Sequence, residues 1–218
     1  MSGIVTLQSG LPWFPDDVTN DLVGTGGFNG NISNSVQTWN YTGPVSAFKA
    51  GPQSIPCFGL LSGCTSAVIP PECVAAAQAP YAGNAPLMGL ALAALDNLGC
   101  YEQGGGILTP PAFGTVGNAS RNLFRLPPYY NVDFSVAKDW KFTERFSAEF
   151  RVEFFNLFNR ADFAIAAAGK GGVDPSSGPG SQAKGFGCAC QTPDVNGNNP
   201  VLGSGGPRHI QFGLKLLF

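Results

Sequence analysis

Between Arg145 and Arg160 the chain reads RFSAEFRVEFFNLFNR. Even positions are Phe146, Ala148, Phe150, Val152 and Phe154; odd positions are Ser147, Glu149, Arg151, Glu153 and Phe155. Successive side chains of a β-strand point to opposite faces, so this order makes one apolar face and one charged face. The stretch Asn131–Phe142 repeats the scheme. Val132, Phe134, Val136, Trp140 and Phe142 alternate with Asn131, Asp133, Ser135, Asp139 and Lys141, and Lys138 is the exception on the apolar side. The final segment places Ile210, Phe212, Leu214, Leu216 and Phe218 against His209, Gln211, Gly213 and Lys215. A weaker alternation runs from Gly3 to Gly10. Strands are therefore predicted at about 3–10, 131–142, 145–158 and 208–218, and the three long ones approach the roughly 9–11 residues that cross a bilayer at a tilt.

Parity constrains the hairpin joining the two central strands. A two-residue turn would pair Phe142 with Arg145 and send the apolar faces to opposite sides. An odd turn, Thr143-Glu144-Arg145, puts Phe142 opposite Phe146 and gathers Trp140, Phe142 and Phe146 at one end. Such a cluster fits an interfacial aromatic girdle.

One-face-apolar strands also build soluble sandwiches, in which the apolar face is the core. Strand length and loop asymmetry favour the membrane. Segments of about 11–130 and 160–207 separate the strands, and structureless connections of that length are foreign to compact soluble domains but ordinary on the outer side of a membrane barrel. The closing Phe218 points the same way, because a barrel must pair its last strand completely. The fold class expected is all-β: an antiparallel transmembrane β-barrel fragment of about four strands, with long extracellular loops and a short loop helix at Pro86–Leu95. Val36–Tyr41 is expected as a loop strand or rim extension.

Composition narrows the function classes. Only 12% of residues are charged and the formal net charge is −2, which gives nucleic acid no basic field to bind. The 30 glycines and 18 prolines make the chain loop-rich. No apolar run reaches the roughly 18 residues of a membrane helix. The start, MSGIVTLQSG, carries no secretory signal pattern. Cys57, Cys64, Cys73, Cys100, Cys188 and Cys190 lack zinc spacing and suit loop disulfides in an oxidising compartment. Sequence leaves their pairing open, although Cys188 and Cys190, one residue apart, are expected to seek other partners.

Nothing in the chain assembles catalytic chemistry. Glu149 and Glu153 stand roughly 13 Å apart on a strand at ~3.3 Å per residue, too far for paired carboxylate catalysis. Glu149, Arg151, Glu153, Asp133 and Lys215 are instead expected to face a barrel lumen and to pair with a neighbouring strand and a plug. His209, the single histidine, has no nucleophile at triad spacing and is placed at the outer end of the last strand. GTGGFNGN (Gly24–Asn31) lacks the Lys-Ser/Thr of a phosphate loop and reads as a loop. No enzyme, cofactor or metal site is expected.

The stretch NASRNLFRLPPYYNVDFSVAKDWKFTERFSAEFRVEFFNLFNRADF, with the closing GGPRHIQFGLKLLF, resembles the C-terminal end of Oar-like TonB-dependent outer-membrane receptors of the acidobacterial type, which carry a carboxypeptidase-regulatory-like domain. SGIVTLQSGLPW similarly resembles an earlier barrel strand and its exit turn. The likeness covers about 118–163, 205–218 and 2–13, and is looser through the cysteine-bearing middle. It implies a barrel of about 22 strands around a plug, in the outer membrane of a Gram-negative bacterium. It further implies TonB-driven uptake of an unidentified extracellular ligand. By the same resemblance Phe212, Leu214, Leu216 and Phe218 form a terminal signal read by the barrel-assembly machinery. The chain is then expected to be a C-terminal piece, with Met1 an internal methionine or a fragment start. Its partners would be outer-membrane lipid, the missing N-terminal strands and plug, and TonB. The alternatives are a secreted soluble β-sandwich used for adhesion or binding, and a self-assembling barrel with four strands from each chain; the second is disfavoured because no coiled-coil stalk is present.

Overall fold

A computed structural model describes residues 1–25, 37–51, 53–163, 172–179, 185–192 and 205–218. Along the chain run β1 (Ser2–Gln8), β2 (Pro12–Pro15), β3 (Asn40–Thr42) and β4 (Cys57–Phe58), then α1 (Pro71–Gln78) and α2 (Ala85–Leu98). There follow β5 (Cys100–Gln103), β6 (Gly106–Thr109), β7 (Phe124–Arg125), β8 (Tyr129–Lys141), β9 (Ser147–Phe155), β10 (Gly172–Val173) and β11 (His209–Leu217). The Gly-rich stretch Gly24–Asn31 lies mostly outside the described residues, as does Val36, and much of the 160–207 segment does too. The elements divide into two compact units: 1–10, 127–164 and 191–218 in one, 11–126 and 165–190 in the other.

The first unit is a single antiparallel sheet in the order β1-β8-β9-β11. Its register carries the alternation across all four strands. Val5 opposes Val132, Phe134 opposes Phe154 and Val136 opposes Val152, and Val152 and Phe150 oppose Phe212 and Leu214. Every apolar side chain of the predicted face therefore lies on one side. That face is not a core: Phe212 and Leu214 are each 67% exposed. A sandwich would bury it against a second layer.

β8 and β9 meet in the odd turn required by parity. Lys141 pairs with Ser147 and Trp140 with Ala148, and beyond them the Phe142 N–H donates to the Phe146 carbonyl at 3.0 Å. β9 ends three residues earlier than its pattern suggested. Asn156 and Asn159 take left-handed backbone conformations, φ 52° and 51°, which a short polar side chain tolerates and which turn the chain out of the sheet. β1 leaves and β8 enters at one end of the sheet, where β9 also leaves and β11 enters. Both long excursions thus depart from and return to the end opposite the hairpin.

The second unit corrects the expectation of structureless loops. It has two small sheets of its own, β10-β2-β7 and β3-β6-β5-β4, and a fully buried aromatic centre. Trp13 packs on Phe124 and Phe186 with ring centroids 4.8 and 5.5 Å apart, Tyr101 on Phe186 at 4.6 Å, and Phe48 stacks on Phe124 at 5.2 Å. Each such pair adds roughly 0.5–1.5 kcal/mol beyond area burial. The loop helix expected at Pro86–Leu95 forms as α2 and continues to Leu98. Asn84 caps it by accepting the Leu87 N–H at 3.2 Å. Ala91, Ala94, Leu95 and Leu98 form its buried stripe. α1, only 8 residues long, was not foreseen. Gly99 closes α2 at φ 69°, and a Cβ there would stand 2.5 Å from the Phe58 carbonyl oxygen, so glycine is required.

Disulfides join Cys57 to Cys64, Cys73 to Cys100 and Cys188 to Cys190. The last pair overturns the expectation that these two cysteines bond elsewhere. Their Cα atoms are 5.1 Å apart, inside the ordinary disulfide range, because the chain turns across Ala189 instead of extending. Ala189 is held there by its N–H bond to the Gly51 carbonyl at 2.8 Å. Cys73, Ala77, Leu95 and Cys100 form a buried cluster, with Phe58, Val74 and Ile107 packed on it.

Candidate functional site: a two-faced sheet and its rim

The polar face of the sheet carries all five residues expected to line a lumen. Glu149, Arg151 and Glu153 are odd positions of β9, Asp133 is an odd position of β8, and Lys215 of β11 lies opposite Glu149 in register. On the other side of Glu149 stands Asp139, so one row across the sheet reads Asp139, Glu149, Lys215. Arg151 pairs with both glutamates of its own strand, Nε to Glu149 at 3.7 Å and Nη1 to Glu153 at 3.3 Å. The expected partners were the neighbouring strand and a plug, whereas these two ion pairs run along β9. Half-exposed pairs of this kind contribute little stability, about 0–1 kcal/mol. Their consequence is a water-facing surface of mixed charge, suited to lining an aqueous passage.

Asp133 plays a different part. Its Oδ1 accepts the Asn156 N–H at 2.9 Å and the Asn131 Nδ2 at 3.0 Å. It thereby secures the point where β9 ends.

Around that point the FNLFNRAD motif builds a polar rim that pattern reading missed. Asn156, 3% exposed, donates from Nδ2 to the carbonyls of Arg160 and Gly206, both at 2.7 Å. Its Oδ1 accepts the Arg160 N–H at 3.0 Å. Asn159 Oδ1 accepts the Arg208 N–H at 2.9 Å, just before β11 begins. Arg160 lies over the Tyr130 ring at 4.3 Å and pairs with Asp162 at 3.5 Å. Burial pushes the Asp162 carboxyl above its ordinary value, against the opposing pull of the Tyr130 N–H and Arg160. One short motif thus ties the ends of β8, β9 and β11 together. The two asparagines followed by Arg-Ala-Asp were the available signal.

At the opposite end, Trp140, Phe142, Phe146 and Phe218 all belong to the apolar side by position, and Phe142 and Phe146 touch with ring centroids 5.6 Å apart. Of the terminal set, Phe212, Leu214 and Leu216 share that face and are exposed, with Phe218 following beyond β11. His209 opens β11 opposite Phe155, at the end far from the hairpin and exposed, as expected.

The second unit has its own polar centre. Asp17, 2% exposed, accepts the Thr19 and Asn20 N–H groups at 3.0 and 2.8 Å and the Trp39 Nε1–H at 3.0 Å. Asp174 accepts from Ser176 N–H at 2.8 Å and from the Thr19 hydroxyl. Burial raises the carboxyls of Asp16 and Asp174; next in size, Asp174 raises Asp16 and Asp17 raises Asp174. Burial likewise raises the Tyr101 phenol, which donates to the Pro175 carbonyl. Among the described residues no group of His, Cys, Asp and Glu is arranged to hold a metal, and this centre reads as internal scaffolding.

A family model described as "Outer membrane beta barrel domain" matches residues 1–193. No curated protein and no solved structure matches the chain.

Proposed function

The chain belongs to the outer membrane beta barrel domain family, and from that membership we propose that it forms the closing part of a larger TonB-dependent receptor of the Oar-like type. In this reading it is a non-enzymatic wall segment of a receptor that captures an extracellular ligand and imports it, in a Gram-negative bacterium. The observation that carries the reading is the sheet itself. β8, β9 and β11 share one apolar face and one charged face in a continuous register. β1 adds Val5 and Leu7 to the apolar face and Ser2, Ile4 and Thr6 to the other, and β1 and β11 are left as edges. Closed membrane barrels need at least about eight strands, and an unpaired edge in hydrocarbon is not viable. The missing strands are assigned to the parent receptor, whose plug would meet the face bearing Glu149, Arg151 and Glu153. Connectivity then makes the hairpin end periplasmic and the two long connections extracellular, and disulfides persist on either side of that membrane. Barrel assembly through the terminal Phe212–Phe218 signal, and coupling to TonB, belong to the same proposal.

The test uses the parent receptor in its native outer membrane. The described cysteines are all disulfide-bonded, and the reactivity of the variant is read as the difference from the unsubstituted protein. Glu153→Cys should react with a membrane-impermeant maleimide at a rate that changes when a protonophore collapses the energy supply, because plug movement alters lumen access. Phe212→Cys should stay unreactive throughout. An unchanged Glu153→Cys rate would refute energised transport, and a reactive Phe212→Cys would refute the orientation.

A further inference from the structure

We infer that Lys138, with Trp140 beside it, is a seat for the phosphate of a phospholipid in the leaflet at the hairpin end of the sheet. The inference rests on the outer-membrane barrel assignment and is independent of the TonB reading. β8 pairs without interruption from Tyr129 to Lys141, so no bulge shifts its faces and Lys138 stands on the same side as Val136 and Trp140. Phe150 lies opposite it, and Leu214 opposite Phe150. Lys138 is thus a cation set in the apolar face. None of the ion pairs among the described residues includes it, and its neighbour Asp139 points to the other side of the sheet.

Depth decides what such a cation can meet. Lys138 lies four residues from Phe142 at the turn, roughly 13 Å along the strand and ~9 Å along the membrane normal at a ~45° tilt. A flexible four-carbon stem carries the ammonium over most of that distance to the headgroup level. The nearest oriented groups there are aromatic: Trp140, Phe142 and Phe146, 43%, 62% and 38% exposed. Lys138 and Trp140, two residues apart on one face of β8, together offer a positive charge and an indole N–H donor to the acceptor oxygens of a lipid phosphate. A cation in hydrocarbon without such a partner is unfavourable, and charge complementarity therefore selects the phosphate-bearing lipid over a neutral one.

The chain contains its own reporter. Of its three tryptophans, Trp13 and Trp39 are fully buried in the second unit and Trp140 is exposed on this face. The complete barrel that contains this chain is reconstituted into neutral galactolipid vesicles containing equal mole fractions of either brominated phosphatidylglycerol or brominated galactolipid. The Trp140→Phe signal is subtracted as baseline. Brominated phosphatidylglycerol should quench Trp140 as though enriched about fivefold beside it. Lys138→Arg should keep that selectivity and Lys138→Gln should lose it. Equal quenching by the two lipids, or selectivity that survives Lys138→Gln, overturns the inference alone. Absence of quenching by either lipid overturns the lipid-facing assignment as well.

Discussion

Phe142 and Phe146 face each other across the turn Thr143-Glu144-Arg145, their rings 5.6 Å apart and the N–H of the first bonded to the carbonyl of the second at 3.0 Å. The pair fixes the register of β8 against β9. Because the side-chain period is two, a change of one residue in this turn reverses a whole strand.

Deletion of Glu144 should therefore set the charged side of one strand into lipid. Insertion of one Gly after Glu144 should do the same, whereas insertion of two should be tolerated. Heat-modifiable mobility of the barrel in outer-membrane fractions is the measurement. The single-residue changes should lose the folded band and the double insertion should retain it.

Asn156 supports three hydrogen bonds from its side chain and holds a left-handed backbone. Asn156→Ala removes the bonds, leaves two carbonyls short of a donor, and adds backbone strain, a combined cost of about 2–4 kcal/mol. Asn156→Gly relieves the strain alone and should fall between the two. Urea midpoints of the folded barrel in detergent should rank wild type, Gly, Ala; equal midpoints for all three would remove the rim from the account of stability.

The three disulfides close loops of different length, with sequence separations of 27, 7 and 2. In the chain-entropy account, opening Cys73–Cys100 costs about 3.6 kcal/mol, Cys57–Cys64 about 2.5 and Cys188–Cys190 about 1.6. Pairwise Cys→Ser variants of the disulfide-bearing unit should follow that order in hydrogen-exchange protection around Tyr101 and Leu108. Cys73–Cys100 should rank highest for a further reason, since both sulfurs are inside the buried cluster with Ala77 and Leu95.

Asp16 and Asp174 have carboxyls raised by burial above the ordinary 3.8. A carboxyl raised in the folded state binds more protons there than in the unfolded chain. Its contribution favours folding below the unfolded value and is lost as pH rises through the raised folded value. The disulfide-bearing unit should accordingly gain protection as pH falls from neutral toward the ordinary carboxylate value. Asp174→Asn, neutral at every pH, should flatten that slope and increase protection at neutral pH. A slope as steep in Asp174→Asn as in wild type would assign the dependence to other groups.

Much of the sheet was legible from the chain because each strand states its own two faces within about ten residues. The alternation of Phe146 to Phe155 names the apolar side, and parity alone forces Phe142 opposite Phe146; neither needs knowledge of distant segments. The strand ends were less legible. β9 stops at Asn156 because a buried amide collects carbonyls from Arg160 and Gly206, the latter 50 residues away. The disulfide-bearing unit gave the weakest signal and holds a fully buried aromatic core. Its core joins Trp13, Phe48, Tyr101, Phe124 and Phe186, residues far apart in sequence and set in short or irregular elements without period. Such a core is specified by which side chains fit together, a property of the assembled set that no single stretch carries. The pairing of Cys188 with Cys190 is set partly by a local turn, the Cys188 N–H bond to the Gly185 carbonyl, and partly by the bond from Ala189 to the distant Gly51. Local periodicity determined which residues share the apolar face; long-range contact decided how the intervening chain folds and where each strand ends.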